Sequence, residues 1–210
     1  MLETRDPTDD AALAFDTPLL FGRVLDGQGG GRIVEWTEAQ EWTPTHPGEV
    51  MWLHIRRDEP GVQEWLEAAF AIPEPTGELL VSDNTRPRAF REGNALVAIL
   101  RGINFNPGAE PEDMVSMQLW CDGARLVTLR RHPLQTPRDV LAEIDRGTGP
   151  SDAGATITHL AEAMIGRMNQ SIVDMNMVID QLEEEDPEAD PEGMLKRISI
   201  IRRNCLALQR

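Results

Sequence analysis

A chain of 210 residues is long enough to bury a proper core as one large domain, or one domain plus an appendage. Its formal net charge of −16 excludes nucleic acid as a target and argues against an anionic membrane surface. The two cysteines, Cys121 and Cys205, lie too far apart for a disulfide framework or a CxxC site, and no uncharged stretch approaches the roughly 18 residues needed to span a bilayer.

Met1 is followed by Glu3, Asp6, Asp9 and Asp10 and not by a basic and then apolar run, so the opening segment reads as a loose acidic stretch of a soluble chain and not as a signal peptide. Pro18 to Leu25 and Arg32 to Trp36 are predicted strands. They are joined by Asp26-Gly-Gln-Gly-Gly-Gly31, which reads as a hairpin turn because no Gly-Lys-Ser/Thr follows to make a phosphate loop. Trp36 to Pro47 is predicted as a short helix or irregular connection. Val50 to Ile55 is a strand. Asp58 ahead of Pro60 predicts the start of a helix carrying Val62, Trp65, Leu66 and Phe70 on one side. A short helix over 74–81 precedes two strands, 86–91 and 94–101, turning at Glu92-Gly93. Met114 to Cys121 and Ala124 to Arg131 flank Asp122-Gly123, the clearest hairpin signal in the chain. Neither face of that hairpin is wholly polar, so the spacing predicts a sheet covered on both sides. Thr136-Pro137-Arg138-Asp139 predicts a helix start with Thr136 as cap and Pro137 at the first helical position.

From Ala153 onward the pattern is purely helical. Ile157, Ala161, Met164, Met168, Ile172, Met175, Ile179 and Leu182 keep one stripe on one helix face. A second stripe, Met194, Ile198, Ile201, Cys205 and Leu208, runs to the last residues without a Gly, Asn or Pro stop, which suggests a longer helix cut short. The organisation expected is therefore an α/β unit over 1–150 and a helical stalk over 151–210. The fold class is an α/β/α sandwich with a central mixed or antiparallel sheet, followed by long stalk helices.

Candidate sites are few. The four histidines, His46, His54, His132 and His159, lack metal-ligand spacing and read as structural or surface residues. No Gly-x-Ser-x-Gly elbow supports a hydrolase, so a soluble α/β enzyme rests on generic layout alone and a stand-alone interaction module is the other alternative. The link between the two helices is less ordinary. Glu183, Glu184, Glu185 and Asp186, then Glu188, Asp190 and Glu192, place seven carboxylates within ten residues. Such a run is ordinarily a solvated turn, but hard cations take carboxylate oxygens, so Glu183, Glu184, Glu185 and Asp186 are weak candidates for holding hydrated Zn²⁺ or Mg²⁺. No tightly bound cofactor is expected.

The stretch Leu100-Arg-Gly-Ile-Asn-Phe-Asn-Pro-Gly-Ala-Glu-Pro-Glu-Asp-Met-Val-Ser116, with Leu119-Trp120 and Leu126-Val-Thr-Leu-Arg-Arg131, resembles the cytoplasmic domain of the CorA-type divalent metal transporters. It is closer to their ZntB zinc-transporting branch than to the magnesium proteins. Trp52-Leu-His54, Trp65-Leu66, Arg86-Pro-Arg88 and the turn at 147–150 fall in the expected order, so the resemblance covers nearly the whole chain. It implies an α/β/α cytoplasmic domain, a very long stalk helix and two transmembrane helices per subunit in a homopentamer at the cytoplasmic face of the inner membrane. A Gly-Met-Asn signature belongs at the pore mouth; the signature and both membrane helices are absent here, and the 210 residues read as the ion-attracting, regulatory and assembly part. Arg86, Arg101, Asn104, Asn106, Glu112, Asp113 and Arg130 match the ZntB-like pattern and are expected to serve fold and interface. Zinc is the favoured transported ion and magnesium the alternative.

Overall fold

The computed structural model describes residues 17–104, 106, 108–109, 114–186 and 189–209. Seven strands form one mixed sheet in the order β2-β1-β3-β7-β6-β5-β4. They are β1 (Leu19–Leu25), β2 (Gly31–Ile33), β3 (Val50–Arg56), β4 (Arg88–Glu92), β5 (Ala95–Ile103), β6 (Met114–Cys121) and β7 (Arg125–Arg130). Every pairing is antiparallel except β3 with β7. That parallel pair is possible because the chain leaves β3, crosses through two helices and three strands, and returns beside it.

Alternation along the central strands sends apolar side chains to both faces, and each face is covered. Met51, Leu53 and Ile55 of β3 join Val127 and Leu129 of β7 beneath α2 (Val62–Phe70) and α3 (Glu74–Val81), which contribute Val62, Leu66, Phe70 and Leu80. On the other face Val50, Trp52, Met117, Leu119 and Leu126 pack under α4 (Gln135–Asp145) and the first turns of α5 (Ala153–Glu184). The result is the α/β/α arrangement expected from the two-sided hydrophobicity of the hairpin. A short α1 (Trp36–Glu41) adds the buried Ala39 to the α2–α3 side.

The glycine-rich segment after β1 is a hairpin turn, as read from sequence. Asp26 Oδ1 accepts from the backbone N–H of Gln28 at 2.7 Å and of Gly30 at 2.9 Å, and Gly27 and Gly29 take positive φ. A Cβ at Gly29 would meet the carbonyls of Gly147 and Gly149 at 3.0 Å, so this turn also seats the linker before α5.

Several boundaries differ from the sequence reading, each for a physical reason. α2 begins at Val62 behind a left-handed Gly61 and not at Pro60, because Asp58 faces Arg56 at 3.7 Å and caps nothing. α4 begins at Gln135 with Leu134 at its cap position; Thr136 is buried inside the first turn, so its hydroxyl is not the cap. Asp139 accepts from Gln135 Nε2 at 2.9 Å and pairs with Arg167 of α5. The hairpin of β6 and β7 is centred one residue later than expected: Cys121 pairs with Leu126 and Asp122 N–H with the Arg125 carbonyl, leaving Gly123 and Ala124 as the turn, with Gly123 at φ 100°. Among the described residues no strand follows residue 150, and α5 and α6 (Pro191–Leu208) account for the helical stripes.

Candidate functional site

The elements that the sheet does not absorb are the outer half of α5, the acidic link and α6. α5 starts at Asp152, whose side chain accepts from Ala155 N–H at 2.8 Å, and Thr156 Oγ1 donates to the Asp152 carbonyl at 2.7 Å. Its first three turns belong to the core: Ala153, Thr156, Leu160 and Met164 are buried. The stripe therefore runs through Leu160, which the sequence pattern omitted, while Ile157 and Ala161 sit at its half-buried flank. Met164 reaches Gly102 of β5, where a Cβ would lie 3.1 Å from Met164 Cε. Beyond Met168 the helix leaves the sheet, and Ile172, Val173 and Met177 are exposed.

α6 starts at Asp190-Pro191, with the Asp190 carboxylate accepting from Gly193 N–H at 3.0 Å. No residue of α6 is buried. Its inward face is Met194, Arg197, Ile201, Asn204 and Leu208, whereas Ile198 and Cys205 of the predicted stripe point outward. The polar Arg197 and Asn204 hid this face from a purely hydrophobic reading. Arg197, Ile201, Asn204 and Leu208 of α6, with Ser171, Met175 and Val178 of α5 and Ile103 and Met114 of the sheet, line a cleft of about 380 Å³.

Of the four candidate metal carboxylates, Glu185 is committed to protein. Arg197 Nη1 donates to Glu185 Oε1 at 2.7 Å and Nη2 to Oε2, a bidentate bond that clamps the start of α6 to the end of α5. The bond with Arg197 holds the Glu185 carboxyl below the usual range and raises the Arg197 guanidinium. Glu183, Glu184 and Asp186 are exposed. Among the described residues no group of three His, Cys, Asp or Glu side chains is placed to hold a metal ion.

The pattern residues lie in separate places. Asn104 and Asn106 come together: Asn104 Oδ1 accepts from Asn106 N–H at 3.0 Å and from Asn106 Nδ2 at 2.6 Å, and Nδ2 also donates to the Pro133 carbonyl at 3.0 Å. This ties the loop after β5 to the segment after β7. Arg130 is buried in β7, and burial first, then the Arg56 charge, lowers its pKa to about 10. Arg101 is half-buried in β5, with its Nε enclosed and without a partner. Arg86 is exposed just ahead of β4. Glu112 and Asp113 lie outside the described residues.

Sequence reasoning treated His54 as structural, and it is. The ring is buried, lies 5.0 Å from Phe21, and places Nδ1 2.8 Å from Thr128 Oγ1. Desolvation first, then the Arg130 charge, holds its pKa well below the ordinary value, so it is neutral. The same hydroxyl accepts from Trp52 Nε1 at 2.9 Å and donates to the Leu53 carbonyl at 3.2 Å. Cys121 is buried and Cys205 exposed, both free.

An acidic α/β/α domain that extends a two-helix arm is the class this fold defines. No helix among the described residues is long and apolar enough to cross a membrane. Residues 47–210 match the family described as CorA-like Mg²⁺ transporter protein. Over 196 residues the chain is 36% identical to the divalent cation transporter CmaX of Pseudomonas aeruginosa, covering 91% of this chain and 58% of the relative. Its structure resembles that of the full-length CmaX protein with a TM-score of 0.84 at 34% identity, over 94% of this chain and 61% of that one. It also resembles the ZntB cytoplasmic domain from Vibrio parahaemolyticus (TM-score 0.72, 21% identity, 91% and 78% covered). The soluble domain of CorA from Methanocaldococcus jannaschii shares the fold as well (TM-score 0.65, 10% identity, 91% and 74% covered). The chain belongs to the CorA-like family, a transporter family and not an enzyme family. It spans about three fifths of the length of CmaX.

Proposed function

We propose that this chain is the cytoplasmic, ion-attracting and assembly portion of a divalent cation transporter, acting at the inner membrane as part of a homopentamer. The observation that carries this reading is the 36% identity to a divalent cation transporter across 91% of the chain. The charge supports it: five copies of a −16 body around one axis create a negative field that concentrates cations near an entrance. Within that field the exposed Glu183 and Glu184 at the tip of the arm are the carboxylates offered to hydrated cations. Glu185 is withdrawn from that role by Arg197. Zinc is the favoured ion, on the closer match to the ZntB domain, and magnesium is the competitor.

The test is uptake into liposomes carrying the full-length product of the gene, with an entrapped indicator for Zn²⁺ and, separately, for Mg²⁺. Saturable Zn²⁺ entry that exceeds Mg²⁺ entry supports the proposal. Mg²⁺ entry alone removes the zinc assignment and keeps the transporter, and entry of neither ion removes both. Sedimentation of the same detergent-purified protein reports whether five copies assemble.

A further inference from the structure

β4 is the outer strand at one end of the sheet. It bonds to β5 on one side and has no neighbour on the other among the described residues. Its register places Arg88, Phe90 and Glu92 opposite Ile99, Val97 and Ala95, and Ala89 and Arg91 opposite Ala98 and Leu96. The two sets point to opposite faces, yet Arg88, Ala89, Phe90 and Arg91 are all exposed. α3 touches this strand at its end, where Glu92 accepts from Thr76 Oγ1 at 2.8 Å, and Arg88 Nε donates to the Arg86 carbonyl at 3.4 Å; the four residues before Glu92 stay uncovered. A row of backbone N–H and C=O groups is thereby left open to strand addition.

The charged side chains on that edge are mostly cationic. The chain carries 36 acidic and 20 basic Lys and Arg residues, and Arg23, Arg32, Arg57, Arg125 and Arg197 are each held by a carboxylate. Arg86, Arg88 and Arg91, three cations in six residues, have no carboxylate partner among the described residues. Phe90 stands between them, 37% exposed. Charged edges guard against self-pairing, and here that guard has a sign. Two β4 strands paired antiparallel about Ala89 and Phe90 would set Arg88 against Arg91, so a second copy is repelled. A strand bearing carboxylates is attracted, and it would satisfy the open backbone row at the same time.

We propose that the free edge of β4 is a docking site for an extended acidic segment of a partner protein. The segment adds as a further strand, with its carboxylates against Arg86, Arg88 and Arg91 and an apolar side chain over Phe90. The net charge of −16 opposes approach from afar, but beyond about 10 Å it is screened at physiological salt, and the arginines dominate at contact. The selection is therefore for an acidic strand that reaches this edge, and not for polyanions in general.

The probe is a fluorescein-labelled peptide alternating glutamate and valine, titrated into the 210-residue chain and followed by anisotropy. Hydrogen exchange of the β4 amides is measured with and without it. Saturable binding that slows exchange across Arg88–Glu92 is expected. Each exposed ion pair lost weakens binding by up to about fivefold, so the double variant Arg88→Glu, Arg91→Glu, which also puts like charges against the peptide, is expected to bind roughly tenfold more weakly while unfolding at the same temperature. The same peptide N-methylated at alternate residues keeps its charge and loses the edge hydrogen bonds, and is expected to bind roughly tenfold more weakly. Equal binding of the N-methylated peptide would overturn strand addition, as would absence of peptide binding. Binding of phosphatidylglycerol-containing vesicles in place of the peptide would overturn the choice of partner. Sedimentation in which β4 variants change self-association and not peptide binding would reassign the edge to a second copy.

Discussion

Replacing Thr128 by valine isolates the polar hub beneath α4 and α5. Thr128 lies fully buried in β7, where one oxygen serves Trp52 Nε1 at 2.9 Å, His54 Nδ1 at 2.8 Å and the Leu53 carbonyl at 3.2 Å. With its hydrogen directed at that carbonyl, the hydroxyl accepts from both rings. Valine fills nearly the same volume, so no cavity forms, but both ring N–H groups lose their acceptor inside the core. Each orphaned buried donor costs about 1–3 kcal/mol, and the pair is expected to cost about 2–5 kcal/mol. Thr128→Ser keeps the acceptor and loses one methyl, which costs about 1 kcal/mol. Urea unfolding at pH 8, where histidine is neutral in both states, gives the two differences from the midpoints at constant slope. A valine variant that loses less than the serine variant would show that the three groups do not share the hydroxyl, and the hub would be refuted.

Three further outcomes are expected. His54 is neutral when folded and protonates near pH 6.5 when unfolded, so below that pH the unfolded state binds the extra proton. Stability is full above about pH 6.5 and falls as pH drops toward the depressed folded value; His54→Phe should flatten that slope in urea midpoints measured across pH. Leu160→Ala, at a fully buried site on α5, should cost about 2–5 kcal/mol, whereas Ile172→Ala, 40% exposed on the same helix, should cost under about 1 kcal/mol, both read by thermal or urea unfolding. Arg197→Gln should speed hydrogen exchange in the first turns of α6 without moving the global midpoint, because the clamp to Glu185 is local and exposed; a large loss of global stability would contradict that.

What could be read along the chain was what local chemistry dictates. Alternating apolar residues from Val50 to Ile55 and from Met114 to Arg131 made strands, the Asp26–Gly31 run made a turn, and the Asp190-Pro191 pair opened α6 with the cap its chemistry predicts. The family resemblance at 100–131 was legible too, because it rests on a continuous stretch of residues. The candidate site was legible only as composition: the acidic run was visible, but not that Glu185 would be taken up by Arg197, twelve residues further on.

What the tertiary structure decided is every choice between equally good local options. Thr136 has the side chain of a helix cap but is drawn into the core. Leu160, outside the predicted stripe, is fully buried, because α5 packs against the sheet and α4 at that point. His54 could have been a surface residue, and is neutral because the closed sheet buries its ring and brings the Arg130 charge near it. Three arginines around β4 are left without carboxylates among the described residues although the chain is strongly acidic. A helix or strand propensity acts over a few neighbours and is written in their order. Burial, ion pairing and the free edge depend on segments many residues apart, here up to the 122 between Arg23 and Asp145, and are settled only when the sheet has closed.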